Sequence, residues 1–190
     1  MLALPGDMIG FSHRGCLGWT INLATGGVPG WGLSHVAQVI AHPEDGHPIL
    51  CEATAWPSQP CIIRGVYTDG LQCHGISARV WSYPGRVWRY PLTTPLMDEQ
   101  SKQLTDFAVE NLGRRYDYVG AFRARGAGFG WLERRLRKED LRSLFCSEFV
   151  AAGWRAAGIV GWRNASAWSP NRLARAARAA AVVGKPERWK

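Results

Sequence analysis

Three residues of this chain carry side chains that could act together on a carbonyl group: Cys146, His35 and Glu52. Cys146 lies in Leu144-Phe145-Cys146-Ser147-Glu148-Phe149-Val150-Ala151-Ala152, an apolar, Ala-rich run. Cys146, Phe149, Val150 and Gly153 recur at three- and four-residue steps, which predicts a helix with one face on a core. Ser143 stands where an N-cap would, and Glu148 falls in the first turns, where an acid suits the macrodipole. The sulfur of Cys146 is then at a helix N-terminus, where unpaired N–H groups and the positive dipole end favour thiolate over thiol. A single cysteine in an apolar helix is ordinarily a small buried hydrophobe. Chemistry at Cys146 therefore needs a base from elsewhere in the chain.

His35 is the candidate. It sits at the mouth of Ser34-His35-Val36-Ala37-Gln38-Val39-Ile40, a buried-strand pattern. A polar turn from Pro43 to Pro48 leads to a second strand, Ile49-Leu50-Cys51-Glu52-Ala53, close enough to pair as a hairpin. Glu52 interrupts an otherwise apolar strand, and buried carboxylates are rare unless paired. Its natural partner is His35 on the neighbouring strand. The three parts of a thiol acyl-transfer site are then present once each: a thiolate at a helix N-terminus, a histidine to move its proton, and a polar group to hold the other ring nitrogen. Glu52 would accept from the His35 Nδ1–H, fix the tautomer and support the imidazolium, which in turn lowers the thiol pKa.

The elements that must position these groups can be read in order. Gly6-Asp7-Met8-Ile9-Gly10-Phe11 opens as a turn and a short strand, and Leu17 to Ala24 reads as a short helix. Cys61 to Val66, Ile76 to Tyr83 and Arg86 to Tyr90 are further strand candidates, the last two joined by Pro84-Gly85. This predicts an antiparallel sheet of about five or six strands. From Asp98 the period becomes helical, with Leu104, Phe107, Ala108 and Leu112 on one face and Gly113 as the stop. The four glycines between Gly120 and Gly130 read as mobile, and Trp131 to Arg142 as a basic helical stretch. Ser169-Pro170 is a helix start, N-cap then Pro at N1, for a helix from Asn171 to Ala181. The fold class is α+β: an antiparallel, partly barrel-like sheet packed by the cysteine helix.

Length and composition suit one domain with a sizeable core: 190 residues, 46% hydrophobic. The net charge is +8, unevenly spread: one Arg against four acids in residues 1–60, seventeen basic residues against six acids in 113–190. A basic half implies an anionic partner surface. The five cysteines include no CxxC pair, which argues against a disulfide framework. Met1 to Asp7 has no basic n-region and too short an apolar run for a signal peptide, and no stretch approaches eighteen apolar residues. The expectation is a cytoplasmic product without a transmembrane segment. It would reach the cell envelope by host lysis or packaged in a particle, as a phage virion or tail component does.

Taken together, Gly6-Asp7-Met8-Ile9, Ser34-His35-Val36-Ala37, Glu52-Ala53, Leu112-Gly113 with Tyr116-Asp117, Phe145-Cys146-Ser147-Glu148-Phe149-Val150 and Ser169-Pro170-Asn171-Arg172-Leu173 resemble the NlpC-type papain-like cysteine peptidases. The order His, acid, Cys, with Glu52 seventeen positions after His35, is that of their circularly permuted, YiiX/YebB-like branch. The resemblance implies one permuted papain-like domain over 1–190, with a basic Gly-rich insertion at about 120–142. It implies a Cys-His-Glu site acting through an acyl-enzyme, an oxyanion hole that uses the Cys146 N–H, and no cofactor. The substrates it implies are amides, with peptidoglycan stem peptides first. Lipid esters or amides come second, because the branch is also similar to lecithin:retinol acyltransferase. A binding module of the same fold in a virion or tail is a third reading.

Other residues admit other roles. His13 with Cys16, His42 with His47, and Cys73 with His74 could ligate a metal, but none repeats in a paired zinc spacing. His42 and His47 read as surface turn residues, and Asp7 as a turn cap that could replace Glu52. Tyr116 and Tyr118 read as packing against the cysteine helix. Arg172, Arg175 and Arg178 fall on one side of the last helix, as a solvated face or one that meets an anionic polymer or lipid headgroups. No nucleic-acid module is present.

Overall fold

The computed structural model describes residues 2–13, 32–55, 58–117 and 144–190. Strands β1 (Met8–Ser12), β2 (His35–Ala41), β3 (Pro48–Thr54), β4 (Gly70–His74), β5 (Arg86–Tyr90) and β6 (Glu187–Arg188) form one sheet in the order β4-β3-β2-β1-β5-β6. Every pairing is antiparallel. The helices are α1 (Ile76–Ser82), α2 (Asp98–Glu110), α3 (Cys146–Ala156) and α4 (Pro170–Ala179), with a 3-10 turn at Ala165–Ala167. The class is α+β as expected. The sheet is open, with β4 and β6 as its edges, where a partly barrel-like sheet was expected.

Alternation along the strands divides the core in two. Met8, Val36, Ile40, Cys51, Ala53, Leu71 and Cys73 face Leu104, Phe149, Trp154 and Leu173 from α2, α3 and α4. Ile9, Phe11, Ala37, Val39, Leu50 and Val87 face Ile76, Val80 and Tyr83 from α1. Because both faces are covered, β1 reads as an unbroken buried run. Gly153 lets α3 lie close on β2, since a Cβ there would come within 2.6 Å of the Gln38 Oε1. Gly113, at φ +80°, follows α2 as the stop the sequence predicted.

Two strand expectations fail. Ile76 to Tyr83 is mostly helix: Ile76 and Val80 are both buried, one turn apart, on the sheet. The alternation of Val80, Trp81, Ser82 and Tyr83 imitated a strand, but Pro84-Gly85 joins a helix to β5. Cys61 to Val66 is a tight turn, in which Gly65 at φ +68° donates to the Cys61 carbonyl at 2.7 Å. The strand beside β3 is β4, Gly70–His74, for which the sequence offered no clear pattern. The expected helix at Leu17 to Ala24, the Gly-rich stretch and the basic stretch to Arg142 lie outside the described residues.

Candidate functional site

The site forms where the N-terminus of α3 meets the first residue of β2. Cys146 is the first residue of α3, and the N-cap is Phe145, whose N–H donates to the Glu148 carboxylate at 3.5 Å. The expected cap, Ser143, lies outside the described residues. Glu148 does face the helix start, and it also accepts from the Ser166 hydroxyl. The segment leading into Cys146 is held by a bridge between Tyr116 and Leu144, with Asp117 N–H to the Leu144 carbonyl at 3.2 Å. Tyr116 is partly buried against the core cluster that includes Cys146 and Phe149; Tyr118 lies outside the described residues.

His35 and Glu52 are diagonal neighbours across the β2–β3 hairpin, on the α1 face. Continuing the register Gln38↔Cys51 places His35 opposite Thr54 and Glu52 opposite Ala37. Diagonal positions are about 7–8 Å apart at Cα, within reach of two long side chains. His35 Nε2 lies 2.6 Å from Glu52 Oε2. The contact is through Nε2, not through Nδ1 as expected, so Nδ1 is the nitrogen left for the sulfur. Cys146 is hydrogen-bonded to the His35 side chain and to the backbone N–H groups of Val36 and Ser147. The structure therefore brings all three predicted residues together, in the order Cys146, His35, Glu52.

The electrostatics follow from the geometry. Burial alone would lower the His35 pKa, but the Cys146 sulfur and then Glu52 outweigh it and raise His35 to about 9. Burial pushes the Cys146 thiol up, and the His35 charge and hydrogen bonds overcome that, leaving it below the ordinary thiol range. Both directions favour imidazolium and thiolate over the neutral pair. Burial likewise opposes the charge on Glu52, but His35 and Arg79 hold its carboxyl far below the usual carboxylate range. Glu52 is fully buried, and His35 is 16% exposed.

Two members of this cluster escaped the sequence. Arg79, on α1, donates to Glu52 through Nε (2.5 Å) and Nη2 (3.1 Å), a two-point contact on one carboxylate. Its guanidinium also covers the Phe11 ring at 5.0 Å and the Tyr83 ring at 5.4 Å. Reading 76–83 as a strand hid it, and no local spacing ties Arg79 to Glu52, 27 residues earlier. His74 Nε2 lies 3.5 Å from Glu52 Oε1. Burial lowers its pKa, against the pull of Glu52, and so favours its neutral form.

The alternative acid is elsewhere. Asp7 precedes β1 at the Met8↔Gln38 end, whereas His35 pairs with Phe11 at the other end. Its carboxylate accepts from Arg89 Nε, Leu4 N–H and Leu92 N–H, as a turn cap and anchor. His42 and His47 sit in a polar turn around Asp45. Cys73 faces Cys51 and Cys61 on the other side of the sheet from His74, so it does not share a site with that histidine. Arg172 turns back to the Ala167 carbonyl at 3.0 Å and over the Trp168 ring, while Arg175 and Arg178 are exposed. No helix of the described residues is long and apolar enough to cross a membrane.

By sequence, no family model and no curated protein matches the chain. Among solved structures, metalloprotein yiiX from Escherichia coli O157:H7 superposes with a TM-score of 0.54 at 20% identity, covering 86% of this chain and 69% of yiiX. The chain is similar in fold to yiiX. The likeness to yiiX concerns the fold alone.

Proposed function

We propose that the chain is a cysteine hydrolase of the permuted papain-like type. The observation that carries the reading is His35 standing between two acids of opposite roles, the Cys146 sulfur and the Glu52 carboxylate at 2.6 Å. In this reading the thiolate attacks a carbonyl carbon and forms the C–S bond. The carbonyl electrons move to oxygen, where the Cys146 N–H at the start of α3 can donate. His35 gives its Nδ1 proton to the leaving nitrogen as the C–N bond breaks. Water then loses a proton to His35, attacks the thioester and releases the thiolate. Glu52 and Arg79 keep the ring oriented and its charge supported.

Amide bonds are the proposed target, and peptidoglycan stem peptides the first candidate, on the family resemblance. The basic residues after 113 would bring the protein to an anionic wall polymer or lipid surface. Although yiiX is a metalloprotein, this reading assigns no metal to the Cys146 site. No three His, Cys, Asp or Glu among the described residues are arranged to hold an ion, and Glu52 is already held by Arg79. The test is incubation with purified sacculi and with phospholipid vesicles, followed by mass spectrometry of the released products. Muropeptides are expected. Free fatty acid would transfer the reading to lipid acyl hydrolysis, and no product from either would leave a virion or tail binding module.

A further inference from the structure

Ser169-Pro170-Asn171 starts α4, and the chemistry above makes no use of it. Asn171 is 6% exposed and directs both ends of its amide at one residue, Leu33. It accepts from the Leu33 N–H at 2.7 Å and donates to the Leu33 carbonyl at 2.9 Å. Leu33 lies two residues before His35, just outside β2, where the ladder does not yet satisfy its backbone. The asparagine amide stands in for a strand partner. Ser34, between them, is fixed to the Phe11 carbonyl by its N–H at 2.8 Å and its hydroxyl at 3.1 Å. Three residues before Asn171, the Trp168 carbonyl accepts from the hydroxyl of Ser147 at 2.7 Å. Ser147 is fully buried and adjoins Cys146. One short corner of chain therefore grips the neighbour of the sulfur with one end and the lead into the histidine strand with the other.

We propose that the corner from Trp168 to Asn171 sets the separation of Cys146 and His35, with Asn171 as the positioning residue for the histidine. The proposal rests on the hydrolase reading above, since it assigns the corner to that pair. A sulfur–imidazole hydrogen bond tolerates only a few tenths of an ångström, and the two residues come from elements far apart in sequence. α3 and β2 touch along their lengths, and this corner adds a hydrogen-bonded tie from the lead into β2 to the residue after Cys146.

The test follows the thiolate itself and needs no substrate. Iodoacetamide labelling of Cys146 in the full chain is measured against pH by peptide mass spectrometry, for the unaltered protein, Asn171→Ala, Ser147→Ala and Leu173→Val. Leu173 is a fully buried residue of the same helix, and its side chain makes none of the corner's hydrogen bonds. The unaltered protein should label at a pH well below that of an ordinary thiol. Asn171→Ala should move the profile up by about one unit, a roughly tenfold slower reaction at pH 6. Ser147→Ala should move it the same way, and Leu173→Val should lower the melting temperature without moving it. If Asn171→Ala does not fold, Asn171→Asp keeps the shape and the Leu33 N–H bond, loses the donor, and should shift the profile in the same direction. An unmoved profile in the Asn171 variants, or an equal shift in Leu173→Val, overturns the positioning role alone. An ordinary thiol profile at Cys146 in the unaltered protein overturns the hydrolase reading and this proposal with it.

Discussion

Two cysteines among the described residues have lowered thiol pKa values, and they are built differently. Cys61 is brought to about 5 by the thiol of Cys73, with backbone N–H groups of Cys73, Arg64 and Ile63 also aimed at its sulfur. The Cys73 N–H is 3.3 Å from it. Cys146 has two backbone N–H groups and a histidine. Cys61 thus surpasses the usual requirement for a reactive thiol, a low pKa, yet no histidine among the described residues is hydrogen-bonded to it to take up and return a proton. Its partner Cys73 is pushed up by the thiols of Cys51 and Cys61, so it donates and stays protonated. Cys61 is fully buried, whereas Cys146 keeps 5% exposure at the rim beside His35. A stabilised sulfur is therefore not yet a nucleophile; the base and a line of approach complete it.

Turnover separates the two sulfurs most sharply. Cys146→Ala and His35→Ala should each remove it by about 10⁴-fold or more, and the double variant should be little worse, because the pair acts as a unit. Cys61→Ser should retain near-normal kcat/KM. Substantial loss in Cys61→Ser with an unchanged melting temperature would erase the distinction.

Stability gives the next contrast. The Cys61 site is held by neutral groups, the Cys146 site by a buried charge pair. Removing Arg79, which is 11% exposed, leaves Glu52 in the interior with one cation fewer. Arg79→Ala should cost about 3–5 kcal/mol in urea unfolding, the usual result of breaking a buried pair from one side. Cys73→Ala should cost less, because Cys61 without that donor can take up a proton and stay neutral. A loss under about 1 kcal/mol for Arg79→Ala would mean that water reaches Glu52.

Labelling then dissects the causes one by one. At pH 6, His35→Ala should slow iodoacetamide labelling of Cys146 about tenfold or more and leave Cys61 unchanged. Cys73→Ala should leave Cys146 unchanged, and Cys61, fully buried, should stay unlabelled in the folded protein. Effects that cross between the two sites would show that they share a cause.

How far the sequence reached depends on how local each signal was. His35, Glu52 and Cys146 were legible because each breaks or heads a strongly periodic apolar segment, and hairpin proximity suggested the first pair. Arg79 was not, because seven residues with mixed periodicity served strand and helix equally well until Gly75 and the packing of Ile76 and Val80 decided. β4 was missed because Gln72 and His74 are polar residues buried on the α1 face, against Glu52 and not against solvent. Which histidine nitrogen meets Glu52 depends on ring orientation, which no spacing encodes. The Asn171 grip on Leu33 spans 138 residues and follows from tertiary packing alone.

The smallest effect concerns charge alone and is read in the alkaline limb of activity. His35 titrates near 9 instead of 6.5, raised against burial first by the Cys146 sulfur and then by Glu52. A histidine with a raised folded-state pKa contributes its full stability below 6.5 and loses it as pH rises towards 9. The reactive pair is present over the same range, bounded below by the lowered Cys146 thiol, so kcat/KM should fall on passing about pH 9. Glu52→Gln keeps the shape and can still accept from His35 Nε2–H, but it removes one of the two raising influences. The alkaline limb should therefore move to lower pH, by about one unit, equivalent to about 1.4 kcal/mol of support for the imidazolium. Glu52→Ala should lose more activity at every pH, because nothing then holds the ring. A full-activity Glu52→Ala protein with the limb still near 9 would remove Glu52 from the site and leave the Cys146 sulfur as the sole influence raising His35.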